Sequence, residues 1–261
     1  MSAGTYTPSP GAAPLPRMIA TQAALETKML LRNGEQLLLT VVIPTLLLVL
    51  FSAVDIVSVP TETAGGSGKA VDFLAPGILA LAVMSTAFTG QAIATGFERR
   101  YGVLKRLGAS PLPRWALMTA KTLSVLVTEV LQVVLLTVIA FALGWSPHGN
   151  PFAVLLLLVL GTAAFSGLGL LMAGTLKAEA TLAAANLVFL LLLVGGGVIV
   201  PLDKFPDAAQ SVLGLLPISA LSGGLRDVLQ HGAAMPWGDL GILAVWAVVG
   251  LGAAGRFFRW E

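Results

Sequence analysis

The sequence predicts an all-α membrane protein built on six transmembrane helices, and three observations carry that expectation. Hydrophobic residues fill 56% of its 261 positions and charged residues only 11%, where an ordinary soluble domain carries about 25% charged residues. The apolar residues collect into runs close to the ~20 residues that a helix needs to cross a bilayer. The basic residues collect between those runs, most of them on one side. A soluble enzyme and a nucleic-acid-binding protein both fit such a chain poorly, and its formal net charge is only +2. Without cysteine it has no disulfide frame, no thiolate nucleophile and no Cys-bearing metal site. The histidines, His148 and His231, are far apart and lack ligand-like neighbours.

Residues 1–16 are rich in Pro, Gly, Ser and Ala and lack the apolar core of a signal peptide, so they read as a flexible tail. Residues 17–35 (RMIATQAALETKMLLRNGE) read as a helix. At 100° per residue Arg17, Lys28 and Arg32 share a sector of roughly 60°. Either this helix lies along the membrane surface with its basic stripe toward anionic headgroups, or it extends the first span.

The six spans are expected near 37–58, 73–97, 115–144, 151–176, 180–201 and 238–257. Pro44 lies inside the first and should kink it. Between the second and third stands ERRYGVLKRLGASPLPR, Glu98–Arg114, with five of the 15 basic residues. Val103, Leu104 and Leu107 would give one helical turn an apolar face, and Ser110-Pro111 and Pro113 would end it. This segment is either a short lever helix between two spans or a charged loop. The connection from Pro201 to Trp237 is long and apolar, in pieces too short to span. Two short helices dipping into the outer leaflet around Pro217 are expected there.

A cytoplasmic N-terminus puts 12 of the 15 basic residues in the cytoplasm and leaves only Lys69, Lys204 and Arg226 outside. The positive-inside rule therefore expects both termini in the cytoplasm. No internal repeat stands out, which argues against a secondary transporter built from inverted repeats.

Two motif matches lose to structural readings. GLGAAG at 250–255 fits a dinucleotide fingerprint, yet it lies in an apolar helix at the chain's end. Gly250 and Ala254 suit close helix packing instead. TAGGSGKA at 63–70 fails the phosphate-loop pattern at Thr63 and Ala70 and is expected outside the cell. At membrane depth no Ser/His/Asp set, metal cluster or convergent carboxylate pair is legible. Glu129 lies near the middle of the third span, where an ionisable group costs about 2.5–3.5 kcal/mol on insertion scales. It reads equally as a proton carrier or contact for a cationic substrate, and as a protonated carboxyl bonded to a neighbouring helix. Ser85, Thr86, Thr89, Gln91 and Thr95 in the second span and Asn186 in the fifth line a possible pathway or serve as interhelical glue.

Taken together, the order and spacing resemble the transmembrane permease subunit of type 2 ATP-binding cassette (ABC) exporters, which include daunorubicin-resistance-like multidrug permeases. The resemblance covers residues 17–257, read as one six-helix domain, with 258–261 as a cytoplasmic C-terminus. Residues 17–35 are similar to the family's N-terminal amphipathic helix. Glu98, Gly102, Leu107 and Ser110-Pro111 are similar to its coupling helix, which docks on the ATPase. Pro201, Phe205-Pro206, Pro217 and Leu225-Arg226 match its re-entrant hairpin. The resemblance implies two paired permease subunits, identical or different, moved by separate cytosolic ATPases, in a bacterial plasma membrane. It implies no cofactor on this chain, ATP and magnesium on the ATPase, contact with membrane lipid, and export of drug-like, lipid or glycoconjugate substrates. The alternatives are a proton-coupled transporter using Glu129 and a non-transporting membrane anchor.

Overall fold

The computed structural model describes residues 11, 13–34, 38–53, 70–109, 111–198 and 205–259, and the regular elements among them are all helical. Most of the tail at 1–16, the 63–69 part of the glycine-rich stretch, Ser110 and Pro201 lie outside the described residues.

The first helix, α1, spans Leu15–Arg32, and Asn33 ends it with an extended ψ of 91°. It is a helix of its own, broken from the apolar run that follows, and it packs along the third span. A π-helical turn at Leu38–Val42 leads into α2, Ile43–Ala53. Pro44 stands at the second position of α2, directly after that π-helical turn. Only Thr40–Ser52 forms an apolar helix here, short of a full crossing at ~1.5 Å per residue; residues 54–58 of the expected span are outside those described.

The second span is continuous over Ala70–Arg100. It comprises α3 at Ala70–Val83, a π-helical stretch at Met84–Gly90 and α4 at Gln91–Arg100. After it come α5 at Val103–Gly108, α6 at Arg114–Ala142, α7 at Pro151–Thr175 and α8 at Ala178–Gly195. The chain ends through α9 at Asp207–Leu213, α10 at Pro217–Leu229 and α11 at Trp237–Phe257. Prolines mark many of the starts: Pro113, Pro206 and Pro236 precede α6, α9 and α11, while Pro151 and Pro217 open α7 and α10. Asn150 adds a side-chain cap by accepting from the Phe152 N–H at 3.0 Å.

Among the described residues five helices are long and apolar enough to cross a membrane, and α9 with α10 forms a sixth candidate only as a pair bent by 93°. The expected fifth span to 201 ends sooner, because Gly195-Gly196-Gly197 breaks α8 and Gly197 adopts φ +66°.

The second span is the axis of the bundle. Of its most apolar stretch 94% is buried inside the protein, against 17% for Ala178–Gly195. Phe73, Met84 and Phe88 from this span meet Phe165 of α7 and Leu221 of α10 in the core. The outward faces of α6, α8 and α11 are apolar and exposed, as at Val134, Leu191 and Val248; such faces belong in hydrocarbon. The closest crossing joins α7 and α11. A β-carbon at Gly167 would lie 2.6 Å from the Gly250 carbonyl carbon and 2.5 Å from Leu251 N, so only glycine allows this approach.

Candidate functional site

The polar residues of α6 form a stripe. Lys121, Ser124, Thr128 and Gln132 are all buried, and spacings of 3, 4 and 4 keep them on one helix face. At its start Lys121 Nζ lies 3.0 and 3.1 Å from the two carboxylate oxygens of Glu26 on α1 and 2.5 Å from Glu98 Oε2 on α4. Gln22 donates to the same Glu26 at 2.9 Å. The ammonium's three donors are thereby used on two carboxylates. Removing one member of such a buried set is far costlier than the set's own net worth.

At the far end of the stripe, Gln132 donates to the Thr40 carbonyl and accepts from the Thr86 hydroxyl at 2.9 Å. Three segments are joined through one side chain. Between the two ends lies a cavity of about 130 Å³, lined by Glu26, Glu98, Lys121, Ser124, Thr86, Thr95 and Gln91 among others. Gln91 stands where the π-helical stretch passes into α4. Both polar atoms of its buried side chain lack a partner. Departures from α-helical pitch of this kind recur at functional sites. Among the described residues no group of three or more His, Asp or Glu side chains comes together.

Below the cavity the chain turns sharply. Gly102 has φ +69° and caps α5; only glycine adopts this conformation without penalty. Leu104 is fully buried in a small cluster with Leu117, Met118, Leu170 and Phe258, against which Leu107 and Leu112 also pack. The apolar side of α5 thus grips its own bundle, while Tyr101, Val103, Lys105 and Arg106 stay exposed. Pro111 is exposed just beyond. Arg99 donates to the Leu176 carbonyl and Arg100 pairs with Glu179, which ties the base of α4 to the α7–α8 junction.

The other expected site residues fall elsewhere. Glu129, 3% exposed on α6, pairs its Oε2 with the Thr162 hydroxyl on α7, and its Oε1 has no partner. Thr162 also reaches the Leu158 carbonyl at 2.7 Å. A hydroxyl has one proton, so a carboxyl that brings its own satisfies both contacts. Asn186 is exposed on α8, bonded to the Leu182 carbonyl at 2.9 Å, apart from Gln91 and Glu129. Arg226 donates to the carbonyls of Gly197 at 2.6 Å and Val198 at 2.7 Å and lies 4.2 Å over the Phe73 ring. It fastens α10 to the broken end of α8 and to α3. Pro206 precedes α9 and Pro217 opens α10, on either side of the 93° bend.

Glu26, Lys121 and Gln132 were not legible as site residues from charge placement alone. The signal that finds the last two is the 3-4-4 spacing of polar residues in an apolar span. Glu26 gives none, because its counter-charge, Lys121, lies 95 positions away.

A bundle of apolar helices around one buried central span, with the Lys121 ion pairs and the amides of Gln91 and Gln132 buried inside it, defines a multi-pass membrane protein. The family described as ABC-2 family transporter protein matches residues 11–256, and the chain belongs to that family; it is thus a membrane permease component of an ABC transporter. YvfS of Bacillus subtilis (strain 168), named as a transport permease, is 22% identical over 240 residues, covering 89% of this chain and 93% of YvfS. LnrN, the linearmycin resistance permease protein of the same organism, is 30% identical over 167 residues, covering 62% of this chain and 43% of LnrN.

Proposed function

We propose that the chain is one half of the translocation pathway of an ABC exporter in a bacterial plasma membrane. Two copies, or this chain and a sister permease, form the channel, and cytosolic ABC ATPases supply ATP and magnesium. The observation that carries the reading is the turn at Gly102: a short helix hangs between two spans, gripped by Leu104 and Leu107, with Lys105 and Arg106 turned outward and Tyr101 exposed just before the turn. We assign α5 as the coupling helix, with Pro111 exposed just beyond its end. A push on α5 travels through α4 to Glu98, Lys121 and Glu26 and so moves α1, α4 and α6 together. In this reading both termini are cytoplasmic, α1 lies at the lipid surface, and α9–α10 form a re-entrant hairpin held by Arg226. The substrates are amphiphiles of drug, lipid or glycoconjugate type, in keeping with the name of LnrN.

The test is co-purification with an ABC ATPase and stimulation of its ATP hydrolysis. A β-carbon at Gly102 meets no atom within 4 Å, so Gly102→Ala strains only the turn, by about 1–2 kcal/mol. The variant should fold and bind lipid normally, yet lose most of the stimulation. Unaltered stimulation contradicts the coupling role.

A further inference from the structure

The cavity beside Lys121 has a chemistry of its own. Glu26 and Glu98 bring two carboxylates against one ammonium, and Lys121 spends its three donors on them. The ammonium therefore has no donor left for an anion, whereas the surplus negative charge favours a cation. Gln91 supplies the independent sign of a ligand. It is 5% exposed, it lines this same cavity, and neither its Nε2 nor its Oε1 has a partner. Buried amides are normally satisfied by protein, water or a bound molecule. Beyond Glu26 the α1 wall turns apolar at Met29 and Leu30, and Met29 is exposed at the rim beside the exposed Leu25.

We propose that this cavity binds the headgroup of an amphiphile bearing a protonated amine two carbons from an oxygen. The amine lies against the excess carboxylate charge and donates to Gln91 Oε1. The oxygen accepts from Gln91 Nε2, and the tail leaves over Met29 along α1. A membrane aminophospholipid and a soluble amino-alcohol amphiphile share this chemistry. The inference concerns binding at equilibrium, without ATP or a partner, so its failure leaves the exporter reading untouched and the reverse also holds.

The test is native mass spectrometry of the full chain in detergent micelles with four probes: phosphatidylethanolamine, phosphatidylglycerol, N-dodecylethanolamine and dodecanol. Each amine probe that binds should be held at least about tenfold more tightly than its amine-free counterpart. Retention of phosphatidylethanolamine alone identifies the lipid as the source; retention of N-dodecylethanolamine identifies the soluble amphiphile. Gln91→Met should weaken amine binding about tenfold. Gln91→Glu, which keeps a polar group and adds charge, should strengthen it by a similar factor. Equal retention of amine and amine-free probes by the folded chain overturns the proposal. So does unchanged amine affinity in Gln91→Met or, where that variant does not fold, in Gln91→Glu.

Discussion

Gln230 donates its side-chain amide to the carbonyl of Asp72 at 2.6 Å, and Asp72 stands four residues before Pro76. A proline has no N–H for the carbonyl four residues earlier. Gln132 serves the Thr40 carbonyl in the same way, four residues before Pro44. Two prolines in apolar helices thus each have a glutamine from another element bonded at the carbonyl they leave without its α-helical donor. This is how proline is tolerated where no water can substitute.

A double-mutant cycle tests the pairing. Gln230→Leu should destabilise the protein by about 0.6–1.7 kcal/mol. In a Pro76→Ala background, where residue 76 regains its N–H, the same change should cost clearly less. Thermal unfolding of the four proteins in nanodiscs reads the coupling, and strictly additive losses refute the pairing.

Lys121 holds two carboxylates inside the protein. Lys121→Met should lower stability by about 3–5 kcal/mol, because it leaves both without a counter-charge. Adding Glu26→Gln and Glu98→Gln should recover much of the loss. Unfolding midpoints of the single and triple variants check this; an inert Lys121→Met shows that the three side chains do not act as a set.

The approach of α7 to α11 is limited by backbone against backbone. Gly167→Ala should force the helices apart and lower the unfolding midpoint by several degrees, roughly the effect of 1–3 kcal/mol of overpacking. Gly252→Ala is the control: its β-carbon would meet nothing within 4 Å, and alanine favours the helix by about 1 kcal/mol. Similar midpoints for the two variants contradict the tight crossing.

Glu129 separates the exporter reading from proton coupling. Glutamine at this position donates to Thr162 as a protonated carboxyl does and costs less in a membrane. Glu129→Gln should fold at least as stably and keep ATP-driven transport within about twofold, measured in proteoliposomes. Abolished transport together with dependence on a proton gradient favours the alternative.

Much of the helix order was legible in the sequence because long apolar runs and the prolines between them are local signals. The pair of short helices about Pro217 and the packing role of Gly250 followed from the same signals. Where local signals compete, boundaries moved. The run through residue 201 is apolar throughout, but three consecutive glycines end α8 at Gly195. The run from 37 looked like one span, yet a π-helical turn precedes Pro44. The π-helical stretch at Met84–Gly90 left no trace in the hydropathy, since its geometry depends on neighbours such as Gly169, whose β-carbon would lie 2.8 Å from the Phe88 carbonyl oxygen. The site was legible in part. Gln91 stood out as a polar residue in a span, and Glu98 and Gly102 through the family resemblance, but the partner that Glu98 shares with Glu26, Lys121, is set by tertiary packing across distant segments.

Flux in proteoliposomes, with and without an ABC ATPase that co-purifies with the chain, tests the central claim most directly. Uptake of a fluorescent drug-like amphiphile should require both proteins and ATP, and should fall when Gly102→Ala replaces the native permease. Equal uptake by vesicles holding this chain alone, with no ATPase present, would contradict it.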